Sequence, residues 1–187
     1  MTTRGLLEVF NSKNELLTRI YVASDMYPEN GLMCEVARFL SKRYLVNGIP
    51  PDGYFDVVNG MDNLAALITA HLIHWHTKII RRYAKHWQPE VKVGRDALAA
   101  GEVYLYPFNA DIMDSDIEYL YQLYPMVDEE KLPSLGGARK AVDVIKVIAK
   151  EYRRSDFDMQ KGDWNKKELI DLFNGPLRDF AKQYCKA

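Results

Sequence analysis

The chain has 187 residues, of which 48% are apolar and 27% charged, values that are ordinary for one globular domain. Lysine and arginine number 25 and aspartate and glutamate 26, so the net charge of −1 gives no reason to expect bulk attraction to nucleic acid. No run of 18 apolar residues occurs, and the N-terminal residues lack the apolar stretch of a secretory signal. We therefore expect a soluble, cytoplasmic protein that does not enter a membrane.

The chain contains two cysteines, Cys34 and Cys185, which are far apart in sequence. Each lies within a pattern of helical spacing, where a free cysteine usually behaves as a small buried apolar residue. Such a pair indicates neither a disulfide framework nor a thiolate zinc site. The sequence therefore predicts two buried, unbonded thiols.

The N-terminal region predicts a β-hairpin followed by a helix. Residues 5–10 form a short apolar run, residues 15–22 alternate between two faces, and the four residues between them are turn formers. The helix is expected to begin at once, with Ser24 or Asp25 as its N-cap and Pro28 in its first turn.

Residues 59–87 are the stretch around which we expect the rest of the chain to be organised. They follow a loop-forming segment over residues 46–58, and their apolar side chains recur every three or four positions, as on one face of an α-helix. Asn59 is suited to cap this helix, Asp62 favours its N-terminal dipole, and Pro89 marks its end. At 1.5 Å per residue the helix would be roughly 40 Å long. The apolar stripe consists of Met61, Leu64, Ala65, Ile68, Leu72, Trp75, Ile79 and Tyr83.

A second strand pair is predicted over residues 102–108 and 117–124, where β-branched and aromatic residues alternate. Pro107 suits the end of an edge strand, because proline cannot donate a hydrogen bond to a neighbouring strand. The loop between the strands is acidic. It lacks the central glycine and the ligand spacing of an EF-hand, so we expect a solvated hairpin tip.

After residues 133–137, which combine proline, serine and two glycines, the β pattern gives way to helical spacing. Apolar residues predict a helix over residues 138–152. A second helix is expected near a capping box formed by Asn165 and Glu168, and a last short one over residues 177–184.

This order of elements predicts an α+β fold in which antiparallel β-hairpins pack on a long central helix and the C-terminal region is helical. The expected division is an α+β core over residues 1–132 and a helical extension over residues 133–187 that packs on the core. The sequence leaves open whether the extension covers the sheet or serves as a docking appendage.

Several short motifs between residues 4 and 124 resemble those of a group of small uncharacterised proteins from bacteria and their phages. The motifs include Asp25-x-Tyr27-Pro28, Asn59-Gly60-Met61 with Leu64-Ala65-Ala66, and Val103-Tyr104-Leu105-Tyr106-Pro107 with Glu118-Tyr119-Leu120-Tyr121. In that group the first motif more often reads His-Trp-Asp-Gly-Tyr-Pro, and here Ala and Ser replace the His and Trp. The resemblance implies that residues 4–124 form one unit and points to a mobile-element origin. It implies no activity and no catalytic residue.

The histidines of the long helix do not form a metal-binding pattern. On a helical wheel His71 and His74 are about 60° apart and suited to share a cation, whereas His76 is about 160° from His74. No third ligand is supplied, so no metal is expected.

Two surfaces are candidates for binding. The first is a basic strip on one flank of the long helix, which suits phosphate or an acidic partner but is also typical of a solvated helix face. The second is a set of strand tyrosines, which would stack bases or contact a protein if exposed and would simply pack under helices if buried. The strip consists of His71, His74, Lys78, Arg81, Arg82 and Lys85, and the tyrosines are Tyr104, Tyr106, Tyr119 and Tyr121.

Two functional hypotheses follow. The favoured one is a non-enzymatic binding protein, such as a phage or mobile-element accessory factor, whose two surfaces contact a protein or an anionic, nucleotide-like ligand, with nucleic acid a weaker candidate. The alternative is a small hydrolase or nucleotide-processing enzyme in which Asp25, Tyr27, Asn59 and His71 converge at the helix N-termini. No cofactor is expected, and the sequence does not determine the oligomeric state.

Overall fold

The computed structural model describes residues 3–48, 56–87, 103–109, 117–132, 138–154, 157–158, 163–164 and 167–186. In chain order the elements are β1 (Gly5–Phe10), β2 (Leu16–Val22), α1 (Leu32–Ser41), β3 (Tyr44–Val46), β4 (Val57–Asn59), α2 (Gly60–Trp87), β5 (Val103–Leu105), β6 (Tyr119–Pro125), a 3-10 turn (Glu129–Lys131), β7 (Arg139–Lys140), α3 (Ala141–Val144), β8 (Ile145–Arg154), β9 (Phe157–Asp158), β10 (Asp163–Trp164), β11 (Lys167–Pro176) and α4 (Leu177–Tyr184).

The strands form mixed sheets, and the predicted α+β class is confirmed. The main sheet has the order β11-β8-β6-β1-β2-β5, a second sheet has the order β4-β3-β7, and β9 pairs with β10. β1 and β6 are parallel, as are β3 and β4, whereas the other neighbours are antiparallel. The expectation of antiparallel hairpins alone is therefore wrong, because β1 and β6 are brought together from distant parts of the chain.

The predicted N-terminal hairpin is confirmed as β1 and β2. Its turn is organised by the Asn11 side chain, whose Oδ1 accepts hydrogen bonds from the backbone N–H groups of Lys13 and Glu15. Asn14 adopts a φ of 61°, a left-handed conformation that asparagine tolerates better than most residues.

The helix predicted next begins later than expected, at Leu32. Asp25 and Asn30 have φ values of 60° and 55°, so the chain between them turns instead of continuing a helix. Gly31 is the N-cap residue, and a Cβ there would lie 1.9 Å from the carbonyl oxygen of Tyr27. Asp25 contributes its backbone carbonyl, which accepts a hydrogen bond from Leu32 N–H at 2.7 Å. Ser24 and Asp25 are therefore not side-chain caps of α1.

The long helix is present as α2, with bounds close to the predicted ones. The members of its stripe from Met61 to Leu72 are buried in the main hydrophobic cluster, whereas Trp75 is only partly buried. Its 28 residues span about 42 Å, whereas the seven-residue β2 spans about 23 Å. The helix is therefore longer than β2, and its residues in the buried hydrophobic cluster end at Leu72, although His76 and Thr77 are also buried.

The start of α2 is capped from a distant part of the chain. Glu129 Oε2 accepts a hydrogen bond from Met61 N–H at 2.8 Å, and its Oε1 accepts one from Ser12 N–H at 2.9 Å. The Asn59 side chain, the predicted N-cap, instead accepts a hydrogen bond from Gly48 N–H at 2.7 Å. The carboxylate at this helix terminus is thus supplied by the 3-10 turn, where it also favours the helix dipole.

The C-terminal region is mainly β structure. The helix predicted over residues 138–152 is present only as the four-residue α3 and otherwise forms β8, and the next predicted helix is wrong, because β11 takes its place. β8 lies between β6 and β11 in the main sheet, and the predicted boundary at 132/133 falls between strands of that sheet. Ile145, Val147 and Ala149 alternate toward the core and are fully buried. Apolar residues at these and nearby positions also satisfy helical spacing, and pairing with β6 decides between the two periods. The last short helix, α4, is confirmed.

The helices contribute their buried residues to one hydrophobic cluster on one face of the main sheet. A smaller cluster on the opposite face consists of strand residues and their neighbours, Leu6, Ile117, Leu120 and Tyr152. Within the described ranges, no helix contributes a buried residue to this second cluster. None of the described helices combines the length and apolar character needed to cross a membrane.

The two cysteines are bonded to each other, so the prediction of free thiols is wrong. Cys34 in α1 and Cys185 just after α4 form a disulfide, with Cα atoms 5.4 Å apart and a separation of 151 in sequence. The bond joins the start of α1 to the segment just after α4. Sequence patterns could not reveal it, because only the packing of α4 beside α1 brings the two residues together.

Candidate functional site

Strand register decides which tyrosines share a surface. Tyr21 of β2 is paired with Leu6 of β1 and with Tyr104 of β5, and Leu6 is paired with Leu120 of β6. Paired residues lie on the same face of a sheet and successive residues alternate, so Tyr121 lies on the opposite face. The tyrosines predicted as one surface are therefore divided between two faces.

The face opposite the helices carries stacked aromatic rings, which we call the tyrosine face. The ring of Tyr21 stacks on Tyr104 with centroids 4.7 Å apart and on Tyr106 at 6.2 Å. Phe10 stacks on Tyr124 at 4.5 Å. These five residues define the face, and 43% of Tyr104 is exposed. Burial, and then the neighbouring Tyr106, raise the pKa of Tyr104, so it presents a neutral ring and hydroxyl at neutral pH.

A buried polar network lies between the two stacks. Arg19 Nε donates to Glu8 Oε1 at 2.6 Å, and Gln122 Nε2 donates to Glu8 Oε2 at 2.9 Å. Arg19 also donates from Nη1 to the carbonyl oxygens of Pro107 and Phe108. Glu8 is 2% exposed and Arg19 8% exposed. The network holds the segment after β5, which carries Tyr106, in place against the sheet.

Cationic side chains lie on the same face. Lys146 is paired in register with Tyr124, and Lys150 with Leu120, so both lysines extend from this side of β8. Lys150 Nζ is 3.6 Å from the exposed Asp171 carboxylate, a separation at which an exposed ion pair contributes little. Arg4 acts electrostatically on Tyr104 and stabilises its ionised form. The tyrosine face thus combines stacked rings with the cations Lys146, Lys150 and Arg4 and with one exposed carboxylate, Asp171, which is paired in register with Lys150.

Tyr119 and Tyr121 belong to the helix side of the sheet. Tyr121 is fully buried, its hydroxyl donates to the carbonyl oxygen of Met26 at 2.7 Å, and burial raises its pKa well above the ordinary tyrosine value. Tyr119 is half-buried, and burial also raises its pKa. Tyr121 packs against Phe180 of α4 and is a core residue rather than a contact for a partner.

Apart from His71, the basic strip lies on the half of α2 that follows Leu72, the last α2 residue of the main buried cluster. Its members differ in exposure, because Arg81 is half-buried whereas the others after His71 are exposed to solvent. The exposed ones are His74, Lys78, Arg82 and Lys85.

His71 faces α1 rather than solvent. Its Nε2 lies 3.0 Å from Glu35 Oε1, and its ring stacks on Phe39 with centroids 4.0 Å apart. Glu35 also pairs with Arg38. The Arg43 guanidinium lies over the ring of Phe39, 3.5 Å from its centroid. Burial lowers the pKa of His71, the hydrogen bond to Glu35 opposes this, and Arg43 lowers it further. At neutral pH the ring is therefore a neutral donor to Glu35.

Asn59, another residue of the predicted catalytic set, lies away from His71. Asn59 precedes the helix, and His71 lies twelve positions later, so the two backbone positions are about 18 Å apart. The Asn59 side chain is engaged with the loop at Gly48. Asp25 and Tyr27 belong to the turn before α1, where Asp25 has its left-handed conformation.

A cleft of about 500 Å³ lies at the carboxyl ends of the parallel strands β1 and β6, lined by residues of the two following turns. This position is a common ligand site in parallel sheets. The neighbouring N-terminus of α2 is already occupied by the Glu129 carboxylate, so the cleft cannot use it to bind an anion. Its lining residues are Ser12, Lys13, Pro125, Met126, Val127, Asp128 and Glu130.

Sequence reasoning missed the partners that organise these sites. Glu8 is a single charge inside an apolar run, and Arg19 alternates with apolar residues in the next strand, which is a weak signal for a buried pair. The acidic loop over residues 110–116 lies outside the described residues. In the part of the chain that is described, no group of three histidine, cysteine or carboxylate side chains is placed to hold a metal ion.

Comparisons of the chain with protein-family models, with curated proteins and with solved structures each found no match.

Proposed function

We propose that the protein is a binding protein that takes an anionic, base-bearing ligand, such as a nucleotide or a short single strand of nucleic acid, on its tyrosine face. The observation that carries this proposal is the stack of Tyr21, Tyr104 and Tyr106, which ends in a ring that is 43% exposed. Aromatic rings fixed on strands stack bases of any sequence, with about 1–3 kcal/mol for each base.

The charges of the same face support an anionic ligand. Lys146, Lys150 and Arg4 accompany the rings, and the carboxylate of Glu8 is neutralised within its network by Arg19. A phosphate placed beside the stacked rings would meet positive charge without displacing the network. The resemblance to small phage and bacterial proteins fits an accessory factor that handles such ligands.

The test is a titration with a fluorescent oligothymidylate, followed by anisotropy, and with a mononucleotide, followed by calorimetry. Tyr104→Ala should weaken binding by about tenfold or more, because one stacking surface is lost. Tyr44→Ala is the matched control, since Tyr44 is 36% exposed but lies in the second sheet. The two probes distinguish a free nucleotide from a strand. Equal affinities for the two variants, or no binding of either probe by the natural chain, would refute the proposal.

The alternative of a small hydrolase has less support. His71 still has a carboxylate partner, because its ring lies 3.0 Å from Glu35. Asn59, however, lies about 18 Å from His71 along the helix, which is too far for the two side chains to share a proton transfer. Turnover of the nucleotide during the titrations, abolished by His71→Ala, would favour the enzyme over the binding protein.

A further inference from the structure

The disulfide forms part of the wall of an open cleft. This cleft, of about 440 Å³, is lined by both cysteines, by the apolar side chains of Ala37, Val142 and Ala181, and by polar residues of α1, α4 and the C-terminal tail. We call it the disulfide cleft. Its polar lining residues are Arg38, Ser41, Arg178, Lys182 and Lys186.

The lining of the disulfide cleft is positive. Four of its residues are cationic, and the carboxylates that pair with three of them are not part of the lining. Glu35 pairs with Arg38, Asp143 lies 3.3 Å from Arg178, and Asp179 lies 3.6 Å from Arg178 and 3.4 Å from Lys182. Four cations against three carboxylates leave one net positive charge around the cleft. A small anion that enters the cleft is therefore favoured over a small cation.

The two cysteines differ in exposure. Both line the cleft, but Cys34, at the third position of α1, is 3% exposed, whereas Cys185 is only half-buried. Of the two residues, Cys185 is therefore the one more open to a nucleophile in the cleft. Cys34 lies in the first turn of α1, where the helix dipole favours negative charge on its sulfur when the disulfide breaks.

We propose that the disulfide cleft is a thiol–disulfide exchange site for an anionic low-molecular-weight thiol. The thiolate sulfur attacks Cys185 Sγ, a mixed disulfide forms at Cys185, and the bond to Cys34 breaks. Cys34 leaves with the electron pair and takes a proton from water. A second thiolate attacks the small-molecule sulfur of the mixed disulfide, so Cys185 leaves as a thiolate and is protonated. Two thiols are oxidised to their disulfide, and the protein disulfide is reduced to two thiols.

Reduction would release the end of the chain more than it would unfold α4. Leu177 and Phe180 hold α4 in the core, independently of the disulfide. The tail after α4 is tied to the turn before α1 by Lys186 N–H to Asn30 Oδ1 at 2.7 Å and by Asn30 N–H to the Tyr184 carbonyl at 3.1 Å. The exchange therefore controls how firmly the C-terminal tail holds that turn.

The experiment compares reduction rates of the purified protein by glutathione, which is anionic, by cysteamine, which is cationic, and by neutral 2-mercaptoethanol. At each time point free thiols are alkylated, and mass spectrometry counts the reduced cysteines. Each rate is divided by the rate at which the same thiol reduces an uncharged model disulfide, which corrects for the intrinsic reactivity of the thiol. At low salt, glutathione should be favoured over cysteamine. Lys182→Gln combined with Lys186→Gln should slow glutathione by roughly fivefold and leave 2-mercaptoethanol unchanged.

The control is Lys13→Gln combined with Lys131→Gln, which removes the same number of charges away from the disulfide cleft. It should favour glutathione over cysteamine as strongly as the natural chain does. A loss of equal size in the control, or an equal loss for the neutral thiol, would overturn the proposal. It would also be overturned if the protein isolated without reductant already contained two free thiols.

Discussion

At the scale of single residues, burial decides which chemistry each side chain has. Glu8 and Arg19 are buried on the tyrosine face of the sheet, where each makes hydrogen bonds to the other and to neighbouring groups. Tyr104 and Tyr121 are the same residue type on neighbouring parts of one sheet, yet one is exposed and the other is in the core. Their residue types alone predict neither outcome.

His71 should make stability depend on pH in a defined window. Its pKa in the folded protein lies below the ordinary value of 6.5, chiefly because it is buried. As the pH falls below 6.5, the unfolded chain therefore binds a proton that the folded protein does not, and the free energy of unfolding decreases. The decrease ends once the pH is below the folded-state pKa. Urea unfolding at a series of pH values measures it.

In His71→Asn that part of the pH dependence should disappear, because the titrating ring is gone. His74→Asn, which changes the exposed histidine one turn away, should retain most of it, because the charge of His74 has the smallest of the effects on the pKa of His71. An unchanged pH dependence in His71→Asn would show that other groups cause the slope.

At the scale of elements, α2 illustrates what a local pattern predicts well. Its apolar spacing is long and regular, so its type and length follow from the sequence, because local hydrogen bonds within a helix need no distant partner. Its cap does need one. Glu129 follows β6 in the chain and is brought to the start of α2 by tertiary packing. No local sequence motif therefore predicts this cap.

Glu129→Ala should lower the free energy of unfolding by about 1–2 kcal/mol, since two backbone N–H groups lose their acceptor. Glu130→Ala is the matched control. It removes an exposed carboxylate from the same turn and should change stability by less than about 0.5 kcal/mol. Chemical denaturation measures both, and similar losses in the two variants would contradict the capping role of Glu129.

β8 illustrates the opposite case. Residues 145–152 satisfy the periods of a helix and of a strand at once, and only the exposed backbone of β6 beside them selects the strand. Where a short apolar run fits both the helical and the strand period, the element it packs against determines which structure it adopts. The same ambiguity misassigned β11.

At the scale of the whole molecule, the C-terminal third is part of the main sheet. A chain that ends at Leu132 would lose β8 and β11 and expose Tyr121 and Leu123, which are now fully buried. We expect this chain to show no cooperative unfolding on heating, as followed by circular dichroism. A chain that ends at Cys185, and so keeps the sheet and the disulfide, should unfold cooperatively. Cooperative unfolding of the shorter chain would show that residues 1–132 fold independently.

The sequence by itself determined the α+β class, the first hairpin, the long helix and the last short one, because each depends on apolar spacing or turn residues within a few positions. Only the tertiary structure decided the parallel pairing of β1 with β6, the sheet face of each tyrosine, the disulfide and the strands of the C-terminal region. These features join residues that are distant in the chain. They are stabilised by contacts that form only when the elements pack together, and the local periodicity of the sequence does not predict those contacts.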